Sequence, residues 1–155
     1  MIEIERKYLV RSNAFKKKAT DHFTIIQGFL TTDPHRTVRV RLKNNNGFLA
    51  VKGISNASGM SRFEWETQIS QDEANDLLLL CVPPLLEKIR YIVPIGSNVF
   101  EVDEFKGVNE GLIIAEIELN HETDKFHLPD WLGTEVTGDI KYYNSQLCQN
   151  PFSKW

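Results

Sequence analysis

The first ten residues, MIEIERKYLV (1–10), alternate apolar and charged side chains in the manner of a β-strand. Glu3, Glu5 and Lys7 lie two positions apart, Ile2 precedes Glu3, and Ile4 lies between the two glutamates. Because successive side chains of a strand point to opposite faces, the three charged residues share one face. The stretch therefore predicts a strand with one apolar face and one charged face, which is either a hydrated surface or a binding site.

The same pattern recurs on five later segments, where two charged residues at i and i+2 flank an apolar residue. The pairs are Arg39 and Arg41, Glu64 and Glu66, Lys88 and Arg90, Glu101 and Asp103, and Glu116 and Glu118. A single pair is typical of the solvated side of an antiparallel sheet. The pattern is repeated on six strands, and the residues between the charges are large and apolar. These apolar residues need burial of their own, so the apolar face cannot be an ordinary solvated surface, and the charged face needs a separate explanation.

Turn residues separate runs of strand length, and most connections are short enough for antiparallel hairpins. We predict strands at 2–9, 23–31, 36–43, 47–53, 62–69, 87–95, 98–106 and 112–119. Ser70 and Glu73 form a capping-box pattern that predicts a helix through residue 80, and helices are also expected at 12–20 and 139–149. In the last of these, Ile140, Tyr143, Asn144 and Leu147 recur at helical spacing. The fold class is α+β, mainly β, an eight-stranded antiparallel closed barrel with flanking helices.

A closed barrel allows two arrangements of these faces. The lumen is apolar and the exterior charged, or the lumen is charged and the apolar exterior is covered by helices or by a second subunit in a homodimer. Like charges at i and i+2 repel unless an opposite charge lies between them, and this favours the second arrangement. Basic pairs could then hold a polyanion, and acidic pairs could hold metal ions.

Composition excludes several classes of function. The 155 residues fit one domain, 1–155, and the net charge of -3 offers no bulk attraction for nucleic acid. The N-terminus has no secretory h-region and no apolar run is long enough to span a bilayer, so we expect a cytoplasmic protein without a membrane partner. Cys81 and Cys148 have no metal-like spacing and are expected to be plain thiols.

The charged pairs suit phosphate chemistry. Arg binds phosphate oxygens in bidentate fashion and Lys binds them as a point charge, whereas Mg²⁺ or Mn²⁺ prefers carboxylate oxygens and bridges them to phosphate. Lys52 and Arg62 extend the basic set, and Arg62 shares the strand face of Glu64 and Glu66 by parity. No Ser, Cys or His nucleophile is needed for attack of water on phosphorus.

An ordered series of segments resembles the CYTH superfamily, also called triphosphate tunnel metalloenzymes, in its short bacterial-type members. The segments are EIERK, which is similar to the family's Glu-x-Glu-x-Lys signature, then QGFL, RVRL, VKG, RFEWE, KIRY, FEVDEF, GLIIAEIEL, EVTGD and YYNSQL. The resemblance implies a barrel whose charged tunnel binds a triphosphate-containing small molecule together with a divalent metal, Mg²⁺ or Mn²⁺.

The resemblance also implies roles for individual residues. The metal carboxylates are Glu3, Glu5, Glu116 and Glu118, with Glu101, Asp103, Glu64 and Glu66 serving a second metal or the attacking water. The phosphate-binding residues are Lys7, Arg39, Arg41, Lys52, Arg62, Lys88 and Arg90, with Lys141 near the C-terminal helix. Lys7, Glu5, Glu64 and Glu66 are the expected catalytic residues. Phe29 replaces the tyrosine that many short members carry, and it lacks the hydroxyl that could assist Lys7.

The expected reaction is metal-dependent hydrolysis of inorganic triphosphate to phosphate and pyrophosphate. Hydrolysis of thiamine or nucleoside triphosphates and conversion of ATP to cyclic AMP are alternatives that the sequence leaves open. The departure at Phe29 leaves open a third alternative, a polyphosphate-binding module with little turnover.

Overall fold

The structure is a computed structural model that describes all of residues 1–155, and it is mainly β, with nine strands and two α-helices. The strands are β1 Ile2–Val10, β2 Asp21–Thr31, β3 Arg36–Lys43, β4 Asn46–Gly53, β5 Ser61–Ile69, β6 Leu86–Ile95, β7 Asn98–Phe105, β8 Ile113–Glu118 and β9 Leu132–Glu135. The helices are α1 Gln71–Leu78 and α2 Asn144–Leu147. All eight predicted strands are present, and their ends differ from the predicted ends by at most two residues.

The first strand closes the barrel because it pairs on both of its edges. The sheet runs in the order β5-β4-β3-β2-β6-β7-β8-β1, and a further pairing of β1 with β5 joins the two ends. Residues 5–9 of β1 pair with β8, and residues 2–4 pair with β5. Every pairing is antiparallel, so the predicted eight-stranded antiparallel barrel is confirmed.

The ninth strand, β9, was not predicted. It pairs with β1 at Tyr8 and Val10, on the edge that β5 leaves free. Its four residues, Leu-Gly-Thr-Glu, are too few to show an alternating pattern, and the glycine lowers strand propensity. The segment nevertheless matters for packing because Trp131, just before it, is buried against the outside of the barrel.

The charged faces of the strands point into the lumen and the apolar faces point outward, as in the second of the two predicted arrangements. One outer apolar cluster, which includes Val93, Phe100 and Ile117, is covered by Phe15 and Trp131. A second outer cluster forms where α1 packs its buried Ala74 and Leu78 on the barrel. Burial of these side chains away from water is the main stabilising contribution.

A third apolar cluster closes one end of the barrel, and we call this end the floor. The cluster consists of Phe29, Leu86, Phe105, Leu112, Ile114, Leu147 and Cys148. Leu147 belongs to α2, so the C-terminal part of the chain seals the lumen at this end. None of the helices has the length and apolarity needed to cross a membrane.

All three predicted helices are shorter than expected, and α1 ends at Leu78 rather than at residue 80. The capping box of α1 is present, since the Ser70 hydroxyl accepts from the backbone N–H of Glu73 and the Glu73 carboxylate accepts from that of Ser70. The predicted helix at 12–20 is only a 3₁₀ turn, Asn13–Lys17. The predicted helix at 139–149 is split into a 3₁₀ turn, Ile140–Tyr142, and α2, because Tyr143 between them has an extended backbone with ψ of 135°.

Candidate active site in the barrel lumen

The lumen holds a cavity of about 470 Å³ whose wall is built from the charged pairs. Seven cations and seven carboxylates line it, and apolar side chains are few. The cations are Lys7, Arg39, Arg41, Lys52, Arg62, Lys88 and Arg90, and the carboxylates are Glu3, Glu5, Glu64, Glu66, Glu101, Glu116 and Glu118. The alternation seen in the first ten residues therefore brings together almost every residue that the sequence singled out.

The wall formed by β1 and β8 carries an acidic pair beside a lysine. Glu5 lies directly opposite Glu118, and Lys7 lies opposite Glu116. The Lys7 ammonium is 3.3 Å from a Glu116 oxygen and 3.7 Å from a Glu5 oxygen. Lys7 is thus held between two carboxylates with its amine facing the lumen.

The pKa values of this wall follow from burial and from its excess of acids. Burial opposes the charge of Lys7, but Glu116 and Glu5 raise its pKa above the usual value, so it stays an ammonium ion. Burial and then the charge of Glu116 raise the pKa of Glu5. Burial and the neighbouring Glu3 raise the pKa of Glu118. The cations near Glu5 and Glu118 therefore do not offset the effects of burial and of the neighbouring acids on the pKa values of these two carboxyl groups.

Next to this wall, β1, β4 and β5 place two cations around Glu3. Lys52 Nζ is 2.9 Å from Glu3 Oε2, and Arg62 Nε is 3.2 Å from the same oxygen. Lys52 also lies 3.4 Å from Glu64. Lys52 is only 5% exposed, so its ammonium is fixed by these contacts rather than by water.

The opposite wall contains two arginines on β3. Arg39 Nη2 is 2.8 Å from Glu66 Oε2, and Arg41 Nη2 is 3.3 Å from both oxygens of the same carboxylate. The buried Nε atoms of Arg39 and Arg41 have no hydrogen-bond partner within the chain. Buried donors of this kind normally have an acceptor, so this wall is suited to a ligand that is rich in oxygen atoms.

Lys88 and Arg90 on β6 are organised by one fully buried carboxylate. Asp103 accepts from Arg90 Nε at 2.7 Å and Nη2 at 2.8 Å, and from Lys88 Nζ at 2.7 Å. Arg90 also contacts Glu101. Burial lowers the pKa of Lys88 to about 8, although Asp103 opposes this shift.

Asp103 does not fit its predicted role at a second metal or at the attacking water. Its side chain is completely buried and does not line the cavity, and cations already occupy both of its oxygens. Asp103 therefore lies behind the lumen wall and orients Lys88 and Arg90.

The donor chemistry of the lumen suits a hard divalent cation. Glu3, Glu5, Glu116 and Glu118 lie on two adjacent strands, and Glu118 has no cation within salt-bridge distance. In the arrangement shown, no three metal-binding side chains converge on one point. Glu3, Glu5 and Glu116 instead contact Lys7, Lys52 and Arg62. Oxygen ligands of this kind are those that Mg²⁺ and Mn²⁺ prefer, and binding would require these side chains to turn.

The structure does not bring Lys141 to the lumen, contrary to its predicted contact with phosphate. Lys141 is exposed, and its ammonium lies 3.9 Å from the centre of the Trp155 ring. A cation over an indole face is a common surface arrangement. The prediction rested on the position of Lys141 near the C-terminal helix, and the break in that helix leaves its side chain outside.

The sequence reasoning missed the contribution of the floor. Tyr143 and Asn144 both line the cavity, and the Tyr143 ring lies 5.5 Å from Lys7 Nζ and 5.8 Å from Arg62. Phe29 also lines the cavity and is 3% exposed. The available signal was Asn144 itself, a polar residue within the otherwise largely apolar stripe at 140–147.

Three comparisons identify similar proteins. The family model described as the CYTH domain matches residues 1–145. A protein named inorganic triphosphatase from Acetivibrio thermocellus is 47% identical over 154 residues, which is 99% of this chain and 97% of that protein. Another inorganic triphosphatase, from Nitrosomonas europaea, is 35% identical over 151 residues, or 95% of this chain and 97% of that protein. A crystal structure of an inorganic triphosphatase matches with a TM-score of 0.64 and 31% identity, covering 94% of this chain and 97% of that one.

Proposed function

This chain belongs to the CYTH domain family, and we propose that it is an enzyme that hydrolyses inorganic triphosphate to pyrophosphate and phosphate inside its barrel. The observation that carries the proposal is the lumen, in which seven cations and seven carboxylates surround one cavity. Two similar proteins that match nearly the whole chain are named for this activity. The family and the activity that the sequence predicts agree with the family model and with the names of these two relatives.

Charge balance explains why a metal ion belongs in this reaction. The side chains that line the lumen carry equal numbers of positive and negative charges, so they cannot neutralise a polyanion by themselves. Family membership implies a divalent metal, and we propose Mg²⁺ or Mn²⁺ held by Glu3, Glu5, Glu116 and Glu118, with Glu101 as a further carboxylate of the cavity lining. When bound, such an ion neutralises negative charge on phosphate oxygens.

The cations of the chain would bind and orient the substrate. Lys7, Lys52 and Arg62 contact acids in the structure and can turn to phosphate oxygens once those acids have another partner. Arg39 and Arg41 offer buried N–H groups that lack an acceptor. Lys88 and Arg90, fixed by Asp103, complete the phosphate site. Positioned cations of this kind stabilise charge that develops in phosphoryl transfer.

In the reaction, a water oxygen bonds to a terminal phosphorus and the bond from that phosphorus to its bridging oxygen breaks. The bridging oxygen leaves with pyrophosphate, and the protons of the water pass to the products or to solvent. We assign Glu5, Glu64 and Glu66 to the orientation of the water, because each is a carboxylate that lines the lumen beside the cations. Lys7 supplies positive charge, since its contacts favour the ammonium form.

A substrate panel tests the proposal. Purified protein is incubated with tripolyphosphate, ATP or thiamine triphosphate and with Mg²⁺ or Mn²⁺, and all products are identified. We expect phosphate and pyrophosphate from tripolyphosphate at the highest rate. Cyclic AMP from ATP, or faster turnover of thiamine triphosphate, would replace the proposed substrate by the corresponding alternative, and metal-dependent binding without turnover would indicate a binding module.

A further inference from the structure

The floor of the lumen exposes part of the C-terminal segment to the cavity. The 3₁₀ turn Ile140–Tyr142 begins where the Asp139 side chain accepts from the backbone N–H of Lys141 at 3.1 Å. The extended backbone of Tyr143 then directs the chain into α2, whose Leu147 packs in the apolar floor cluster. Tyr143, Asn144 and Ser145 consequently line the cavity at its closed end.

Asn144 makes contacts that fix the orientation of its side-chain amide. Its Oδ1 accepts from Lys88 Nζ at 2.8 Å and from Gln27 Nε2 at 3.1 Å. A lysine ammonium can only donate, so the oxygen of the amide must be the atom that faces Lys88. The Nδ2 group therefore points away from Lys88, and it donates to no atom of the chain.

Lys88 is also left with capacity for another partner. Its ammonium has three donors, of which Asp103 Oδ2 takes one at 2.7 Å and Asn144 Oδ1 takes another at 2.8 Å. Lys88 is 2% exposed, so bulk water does not surround it. The floor thus presents one free ammonium donor and one free amide group from neighbouring side chains.

We propose that Asn144 is a substrate-binding residue whose Nδ2 donates to an oxygen of the phosphate group that reaches the floor. Its Oδ1 at the same time positions Lys88 for that phosphate. The inference rests on the proposed function and adds the C-terminal segment to the phosphate site. Phosphate oxygens accept hydrogen bonds from both amides and ammonium groups, so the two donors suit the same ligand.

The alternative is that Asn144 only ties the C-terminal segment to the barrel, and two variants distinguish the roles. Asn144→Ala removes both the donor and the tie. Asn144→Asp keeps an oxygen for Lys88, and so keeps the tie, but replaces the amide donor with a second acceptor that repels phosphate. A purely structural role predicts that Asn144→Ala lowers the melting temperature but that the KM of the folded variant stays at the wild-type value.

The experiment measures kcat and KM for tripolyphosphate with saturating Mg²⁺, together with thermal unfolding of each variant. We expect KM to rise about tenfold in Asn144→Ala, which is the loss of about one hydrogen bond to a charged group, and further in Asn144→Asp. We expect kcat to change by less than about threefold, as for a contact made equally to substrate and transition state. The control is Gln149→Ala, because this exposed side chain bonds to Thr32 on the outside and should leave KM unchanged.

The outcomes separate this inference from the function on which it rests. A wild-type KM in either variant, with an active and folded wild type, would overturn the role of Asn144 and leave the proposed function intact. A wild type that neither binds nor hydrolyses tripolyphosphate with Mg²⁺ or Mn²⁺ would overturn both. A raised KM in both variants, with Gln149→Ala unaffected, supports the inference.

Discussion

The two faces of the barrel strands differ more than the two faces of an ordinary antiparallel sheet. The inner face carries fourteen charged side chains around the cavity, whereas the outer face packs apolar side chains such as Phe100 and Val40 at 0% exposure. Most small barrels fill their interior with apolar side chains. Here the apolar contacts that stabilise the fold are largely outside, and the charged interior is available for chemistry. Substitutions on the two faces should therefore affect different measurements.

The largest effect is expected on the outer face, at Phe100. Its ring is fully buried, with its centre 5.5 Å from that of Trp131 and 6.0 Å from that of Phe126. Phe100→Ala should lower the free energy of unfolding by about 3–5 kcal/mol because it leaves a cavity in this cluster. Urea denaturation measures the change, and Phe100→Leu should show a smaller loss. Activity per folded molecule should remain near that of the wild type.

A substitution on the inner face should show the reverse pattern. Glu5→Gln should lower tripolyphosphate hydrolysis about 100-fold or more, the usual contribution of a carboxylate placed at the reacting group. Because burial and Glu116 raise the pKa of Glu5, the folded protein disfavours its charge. The free energy of unfolding at neutral pH should therefore stay equal or rise when that charge is removed.

Two further variants control this comparison. Lys7→Ala should also abolish most hydrolysis, since it removes the ammonium between Glu5 and Glu116. Glu110→Gln changes an exposed acid outside the lumen and should alter neither measurement. A Glu5→Gln protein with full activity and a large loss of stability would contradict the division between the two faces.

A smaller effect is expected where the outer face is not covered. Trp65 lies on β5 opposite Val51 and remains 47% exposed. Trp65→Ala should lower the free energy of unfolding by only about 1–2 kcal/mol, because roughly half of the side chain is already in water. Urea denaturation beside Phe100→Ala gives the comparison. A loss as large as that of Phe100→Ala would mean that this part of the exterior is covered in solution.

The smallest effect concerns an ion pair on the outer face. The Arg6 guanidinium donates to both oxygens of Glu135, at 2.8 and 2.6 Å, and this hydrogen bonding lowers the pKa of Glu135. A lowered carboxyl pKa stabilises the fold above the unfolded pKa of about 4.3, and the contribution is lost as pH falls through the folded pKa. Both side chains are partly exposed, so solvent screening limits the effect.

Glu135→Gln should therefore cost about 0.5 kcal/mol at pH 7, and the difference from the wild type should shrink as pH falls from about 5 to about 3. Urea denaturation at several pH values measures this difference. If the difference in the free energy of unfolding between the two proteins widened toward acid pH, the predicted direction of the pH dependence would be wrong.

The alternating pattern made the barrel and most of the lumen predictable from the sequence. Strand pairs such as Arg39 and Arg41 fix which face is charged, and the requirement to bury Val40 between them fixes which face is covered. The same reasoning could not separate Asp103 from Glu101, because both share one face and only the depth of each along the barrel decides which contacts the cavity. Parity is a local property, whereas depth depends on how β6, β7 and β8 are staggered.

The C-terminal part was least predictable. The helical spacing at 139–149 correctly predicts that Leu147 packs against the barrel. However, the extended backbone at Tyr143 breaks the predicted helix, and Lys141 lies outside the lumen. The contact between Asn144 and Lys88 joins residues 56 positions apart. No pattern within the segment contains that information, since it arises only when the barrel is closed.

The most direct test of the central claim, that the charged lumen hydrolyses triphosphate, follows tripolyphosphate with Mg²⁺ by ³¹P NMR. The wild type and Glu110→Gln should convert it to equal amounts of pyrophosphate and phosphate, and Glu5→Gln should leave most of it intact over the same time while remaining folded. Tripolyphosphate that stays intact with the wild type in both Mg²⁺ and Mn²⁺, or that Glu5→Gln cleaves at the wild-type rate, would contradict the account.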